Sequence, residues 1–378
     1  MKKILFIFGT RPEAIKLIPL IKGFRNEKKA NVKICITSQH REMLDQVLDF
    51  FEITVDYDLD VMKPNQNLYS LTSIIILGLK DVFEDFNPDF VFVHGDTTTT
   101  LCASLSGFYA KKIICHVEAG LRTWDKYSPF PEEMNRQLTS KLSNLHFAPT
   151  LKSKQNLLKE GIEDDKIIIT GNTVIDSLLI CKEYLKEKTN IEIDGLKKII
   201  KANKKIILIT SHRRENFGEG FLDTCKALKK IALEHFDDIQ LIFPVHPNPN
   251  IQGPAFDLLG GIENINLIKP LSYESFVWLM SNSYIVITDS GGVQEEAPSL
   301  GKPVIVLRET TERPEAVEAG TVILTGTNVS LICNNINLLL SNNTYYEDMT
   351  KRINPYGDGF ASKRIIDYIM KNEKNEFK

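Results

Sequence analysis

The chain of 378 residues has no C-x-x-C pair, no G-x-G-x-x-G fingerprint and no phosphate-loop pattern. Its six cysteines, Cys35, Cys102, Cys115, Cys181, Cys225 and Cys333, are scattered, most of them inside apolar runs. That distribution argues against disulfides and a zinc site and predicts small core residues in a reducing compartment. Without the glycine fingerprint, a nicotinamide dinucleotide has no recognisable pyrophosphate turn. A Tyr184-x-x-x-Lys188 pair in a charged helical stretch is then read as surface. No apolar run approaches the roughly 20 residues of a membrane span; residues 73–79 fall far short. The apolar start at residues 4–8 is shorter than the roughly 7–15 residues of a signal-peptide core, and Arg11, Pro12 and Glu13 follow at once. A formal net charge of −3 gives no reason to expect nucleic acid or an anionic membrane as partner. No segment is of low complexity, and a soluble, cytoplasmic protein is expected.

What is present is an alternation of short apolar runs with amphipathic stretches. Strands are expected at 3–8, 32–36, 90–93, 113–117, 145–148 and 167–170, and again at 205–210, 239–244, 265–268, 284–288, 304–307 and 322–324. Helical spacing occupies segments between them, such as 14–24, 101–109 and 221–233. Alternating β and α elements imply parallel sheets with right-handed crossovers. The length predicts two domains, and residues 2–11 resemble residues 204–213, as if the pattern restarted. The fold class is therefore α/β with two Rossmann-like domains. A linker is expected near 171–176, with a helix over 174–186, a polar stretch over 186–204 and a frayed charged tail at 371–378.

Two expected strands stop at an acidic residue in a small polar loop. One runs Phe90-Val91-Phe92-Val93-His94-Gly95-Asp96; the other runs Ile113-Ile114-Cys115-His116-Val117-Glu118. Buried parallel strands deliver such side chains to the carboxyl edge of the sheet, where open α/β folds bind ligands. A third acidic group, Pro131-Glu132-Glu133, follows, and the set points to proton transfer. His94-x-Asp96 and His116-x-Glu118 also suit metal ligation, although further His and Asp at strand ends are missing. The first expected strand leads into Gly9, Arg11 and Lys16 at a helix start with Pro12, a turn suited to an anion. In the second half, Thr288-Asp289-Ser290-Gly291-Gly292 opens a helix whose free N–H groups suit a diphosphate, and Glu296 could take ribose hydroxyls. Ser211-His212-Arg213-Arg214-Glu215 follows another strand; its arginines could neutralise an anion or pair with Glu215.

Together with Gly171-Asn172-Thr173, Thr311-Glu312-Arg313-Pro314-Glu315 and Tyr356-Gly357-Asp358-Gly359, these motifs resemble the non-hydrolysing UDP-N-acetylglucosamine 2-epimerases over nearly the whole chain. The resemblance implies GT-B architecture, two Rossmann-like domains facing a central cleft. The first would comprise 1–170 plus the C-terminal helix at 359–378, and the second 171–358. It implies Asp96, Glu118 and Glu132 as catalytic carboxylates, with His212 helping at the leaving diphosphate. It implies UDP-sugar binding through Phe276, Ser290, Gly291, Gly292, Glu296 and Arg313, with Arg11 and Lys16 reaching across the cleft. Gln39, His40, Arg41, Gln46 and His246 resemble the lining of a regulatory site found in some bacterial members. Neither cofactor nor metal is implied; UDP-GlcNAc and UDP-ManNAc are the expected partners, with a homodimer as assembly.

The residue types suit that chemistry. C2 of the sugar is not next to a carbonyl, so its proton is weakly acidic. Elimination of UDP to 2-acetamidoglucal, then re-addition with protonation from the other face, needs acid and base groups on two faces. Three rival readings share parts of this pattern: a hydrolysing relative releasing ManNAc, a GT-B glycosyltransferase, and a silent nucleotide-sugar sensor.

Overall fold

The computed structural model describes residues 1–38, 41–62, 66–311, 313–373 and 376. The chain divides into two compact units, residues 1–180 with 356–378, and residues 181–355.

The first unit is built on a sheet of seven strands: β1 (Lys2–Phe8), β2 (Ala30–Ile36), β3 (Tyr57–Asp58), β4 (Phe90–His94), β5 (Ile113–Val117), β6 (Leu145–Ala148) and β7 (Ile167–Ile169). Their order is β3-β2-β1-β4-β5-β6-β7, with every pairing parallel. The second unit has β8 (Lys205–Thr210), β9 (Ile239–Pro244), β10 (Ile265–Ile268), β11 (Ile285–Thr288), β12 (Val304–Val306) and β13 (Val322–Leu324). These form a parallel sheet of order β10-β9-β8-β11-β12-β13. The expected strands recur within a residue or two. β3, only two residues long, carries no periodicity to read, and the stretch expected as polar contains the helix Ile191–Ile199.

Both sheets reverse their winding between the first strand and its later neighbour: between β1 and β4, and between β8 and β11. Crossovers leave in opposite directions there, so the loops beyond the carboxyl ends of the strands part and leave room for a ligand. The strands themselves are continuous apolar runs because helices cover both faces. In the first unit Phe6, Phe92 and Phe147 are fully buried and stacked, with centroids 4.9 Å apart for Phe6 and Phe92 and 6.3 Å for Phe92 and Phe147. In the second, Ile207, Leu241, Phe243 and Ile287 are fully buried together with Phe221 and Leu228 of the helix Glu219–Glu234.

The last helix, Ala361–Lys371, belongs to the first unit. Asp176 of the helix Thr173–Tyr184 accepts hydrogen bonds from Ala361 N at 3.2 Å and Ser362 N at 2.8 Å. A carboxylate at those first N–H groups caps the helix and meets the positive end of its dipole. Tyr368 then packs edge-on against Phe147. All six cysteines are buried and none forms a disulfide. Among the described residues no helix is long and apolar enough to cross a membrane.

Candidate active site

In the first unit β4 and β5 lie side by side, and each ends in a turn that an ordinary residue seldom adopts. Gly95, beyond β4, has φ of 66°, and Glu118, beyond β5, has φ of 61°. A non-glycine residue in the left-handed region is strained by about 1–3 kcal/mol and persists where surroundings over-determine it. Gly120, two residues on, has φ of 94° and lies against the next helix: a Cβ there would sit 2.3 Å from Ser153 O. Asn156 Nδ2 donates to Gly120 O at 3.0 Å, and the buried Arg122 guanidinium pairs with both carboxylate oxygens of Glu160, at 2.6 and 2.9 Å. The turn carrying Glu118 is thus anchored from behind.

Glu118 is mostly buried. Its Oε2 forms an ion pair with Lys16, accepts from Asn172 Nδ2 at 2.7 Å, and lies 3.7 Å from His94 Nε2. Burial pulls the His94 pKa down to about 4, so the ring is neutral at pH 7 beside the carboxylate. Asp96 pairs with Arg136 of the helix Glu132–Leu142, and Asn135 Nδ2 of that helix donates to Asp96 O at 3.0 Å. Burial pushes the Asp96 carboxyl above its usual range; the Arg136 cation opposes this, while Glu118 and Glu132 add to the rise. Glu118 and Glu132 are therefore both close enough to Asp96 for their charges to act on it. Glu132 opens its helix beside the buried Glu133, which accepts from Thr123 N and Trp124 N, each at 3.1 Å. Neighbouring carboxylates beside one lysine and one arginine can both accept and return protons.

Arg11, half-buried, is the first residue of the helix Arg11–Arg25, and Lys16 of that helix reaches Glu118 in this structure. Both depend on a carboxylate to which the sequence reading assigns no role. Glu13 is buried and accepts from Gly9 N at 3.1 Å, Thr10 N at 2.9 Å and Thr97 Oγ1 at 2.8 Å. It ties the turn beyond β1 to the turn beyond β4, across the point where the sheet reverses. The Thr10-x-x-Glu13 spacing is legible as a capping box; the reach to Thr97 is not.

In the second unit β11 runs through Asp289 and Ser290 into the helix Gly291–Ser299, whose N-cap Ser290 makes no side-chain capping bond, and the first N–H groups of a helix have no partner within it. A Cβ on Gly291 would lie 2.3 Å from Arg313 Nη1, so only glycine lets that guanidinium rest on the helix end. Arg313 Nε is fixed by Glu295 Oε1 at 2.6 Å. A helix N-terminus with an adjoining arginine is an anion site. Glu296, buried one turn in, lies 3.4 Å from the Tyr273 hydroxyl, which donates to it; Phe276 is half-buried on the same helix as Tyr273 (Tyr273–Asn282). Asp289 meets the loop beyond β8, accepting from Ser211 Oγ and His212 N, each at 2.9 Å. Glu215 pairs with Arg308 at 2.6 Å, where the sequence offered Arg213 or Arg214 as its partner.

His246, expected at a regulatory site, stacks on His212 with ring centroids 5.9 Å apart. Arg41 pairs with Asp58 and Asp60 at 2.6 and 3.0 Å, and Gln46 is exposed on the helix Arg41–Phe50. Gln39, His40 and Glu312 lie outside the described residues. His116 is buried, with Nε2 2.7 Å from Gly95 O, a backbone contact and not a metal-ligand arrangement. Among the described residues no group of three or more His, Cys, Asp or Glu could hold a metal ion.

A family model described as UDP-N-acetylglucosamine 2-epimerase matches residues 22–370. A UDP-N-acetylglucosamine 2-epimerase of Campylobacter jejuni is 54% identical over 381 residues, covering 100% of this chain and 99% of that one. The crystal structure of UDP-GlcNAc 2-epimerase from Neisseria meningitidis bound to UDP-GlcNAc is 54% identical, with a TM-score of 0.90 over 98% of this chain and 100% of that one. The Methanocaldococcus jannaschii UDP-GlcNAc 2-epimerase in complex with UDP-GlcNAc and UDP is 32% identical, with a TM-score of 0.80 over 98% and 100%. Two parallel α/β units of GT-B type are what these relatives share with it. On the family model and on identity across its full length, the chain belongs to the UDP-N-acetylglucosamine 2-epimerase family.

Proposed function

We propose that the chain interconverts UDP-GlcNAc and UDP-ManNAc without net hydrolysis, in the cytoplasm, as a homodimer supplying ManNAc-type precursors for surface polysaccharide. What supports the chemistry is Asp96 and Glu118 at the ends of adjacent strands, paired with Arg136 and Lys16, with Glu132 acting on Asp96 from the next helix. One of the carboxylates takes the C2 proton while the anomeric C–O bond breaks, its electron pair leaving with UDP and a C1=C2 double bond forming. UDP then adds back to C1, and a carboxylic acid on the opposite face delivers a proton to C2. Ser290, Gly291, Gly292, Glu296, Phe276 and Arg313 bind UDP, with Arg11 as a further cation, and His212 serves the departing diphosphate. That assignment is supported by the open helix end at Gly291 with Arg313 upon it. Cations and a helix N-terminus at a developing diphosphate charge lower the barrier to departure.

The test is product analysis. Incubated with either UDP-sugar alone, the protein should yield the same equilibrium mixture of both. Accumulation of free ManNAc with stoichiometric UDP would assign it to the hydrolysing reaction instead.

A further inference from the structure

Asp289 stands at the winding reversal of the second sheet with no exposed surface, and its two oxygens are used unequally. Oδ2 accepts four hydrogen bonds: Ser211 Oγ at 2.9 Å, His212 N at 2.9 Å, Arg213 N at 3.0 Å and Asn216 Nδ2 at 3.3 Å. Oδ1 is buried and has no hydrogen-bond partner, yet it lies 3.4 Å from His212 Nδ1. An orphaned carboxylate oxygen in the interior is costly, so it persists where a polar group can turn to meet it. The four bonds hold the carboxylate against the loop that carries His212, while the His212 ring is 43% exposed.

We infer that Asp289 is a positioning residue for His212: its Oδ1 holds the imidazole proton on Nδ1 and leaves Nε2 as the nitrogen that meets the ligand. In the neutral ring Nε2 is then an acceptor. In the doubly protonated ring Nε2–H donates to an anionic phosphate oxygen while Nδ1–H stays on Asp289. Three charged or titratable groups face the ring. Burial lowers the His212 pKa, Asp289 opposes that, and Arg213 and the stacked His246 lower it further. Asp289 thus keeps the cationic form within reach against its other neighbours. The inference rests on the reading that His212 serves the leaving diphosphate.

The test is nitrogen-15 NMR of the whole protein labelled at histidine, with His212 assigned by its loss in His212→Asn. Wild-type His212 should show the Nδ1–H tautomer; a predominant Nε2–H tautomer overturns the inference without any variant. In Asp289→Asn the amide oxygen can take over the Oδ2 contacts, which turns an NH2 group toward Nδ1. The tautomer should flip, the His212 pKa should fall, and kcat should drop about 10- to 100-fold with KM much less affected. Ser211→Ala removes one Oδ2 contact and leaves Oδ1 in place, so it should leave the tautomer unchanged. If it shifts His212 as Asp289→Asn does, loop geometry and not Oδ1 is responsible, and the inference fails. Unchanged turnover in His212→Asn would instead remove the catalytic reading of His212 and leave the tautomer result standing.

Discussion

At the scale of single residues, the site is a set of carboxylates whose behaviour is decided by their neighbours. Asp96 sits above its ordinary pKa because burial outweighs Arg136. Asp96→Asn keeps the shape and leaves the residues of the anion site unchanged, so UDP affinity should hold while turnover falls about 10²- to 10⁴-fold, as loss of a positioned acid or base does. Titration calorimetry with UDP and a kinetic assay separate the two effects; unchanged turnover would remove Asp96 from the mechanism. Arg136→Gln should raise the Asp96 pKa further, since the cation is the group holding it down. The acid limb of the kcat/KM profile should then move to higher pH, and a limb that stays in place or moves lower would contradict the pairing. The acids themselves were legible, because strand-ending carboxylates announce themselves. The supporting residues Glu13, Arg136, Asn172 and Asp289 stood inside recognised motifs without a role. Each acts on a residue 40 to 84 positions away, and only the strand order brings them together.

At the scale of elements, the turns beyond β4 and β5 carry the proposed catalytic carboxylates and are anchored by groups that pattern alone does not reveal. Glu133 holds the segment after Glu118 through Thr123 N and Trp124 N. Burial alone would raise its pKa, but those N–H donors, Gln137 and Arg136 outweigh it and hold the carboxyl below its ordinary 4.5. The folded state thus binds this proton less readily than the unfolded chain. The stability Glu133 contributes is present above pH 4.5 and is lost as pH falls through the lowered value. Glu133→Gln should therefore cost about 1–3 kcal/mol at pH 7 and flatten the acid limb of a urea-denaturation series; an unchanged limb would refute the assignment. Gly120→Ala forces a methyl against Ser153 O at a positive φ. It should lower the melting temperature and reduce kcat together, because the displaced turn carries Glu118. A variant with wild-type values of both would show that the turn is not constrained. The strands were readable because buried parallel strands are unbroken apolar runs. β3 was not, being two residues long, nor was the helix Ile191–Ile199, whose buried Ile193 and Leu196 are flanked by charge. Its Asn190 N-cap, accepting from Ile193 N at 2.8 Å, was the available signal.

At the scale of the whole molecule, two units repeat one design. Each is a parallel sheet that reverses at its first strand, and in each a buried carboxylate, Glu13 or Asp289, ties together the loops flanking the reversal. On the proposed function the first unit supplies the acid–base groups and the second the anion site, the division of labour that elimination and re-addition of a nucleoside diphosphate requires. The central claim is that the C2 hydrogen leaves and returns while the nucleotide is retained in the product. Incubation of the wild-type protein with UDP-GlcNAc in deuterium oxide, followed by proton NMR and mass spectrometry of the recovered sugar nucleotides, tests it directly. The account predicts deuterium at C2 of UDP-ManNAc and, as the reaction reverses, of the remaining UDP-GlcNAc. Formation of UDP-ManNAc with its C2 hydrogen unexchanged would contradict it.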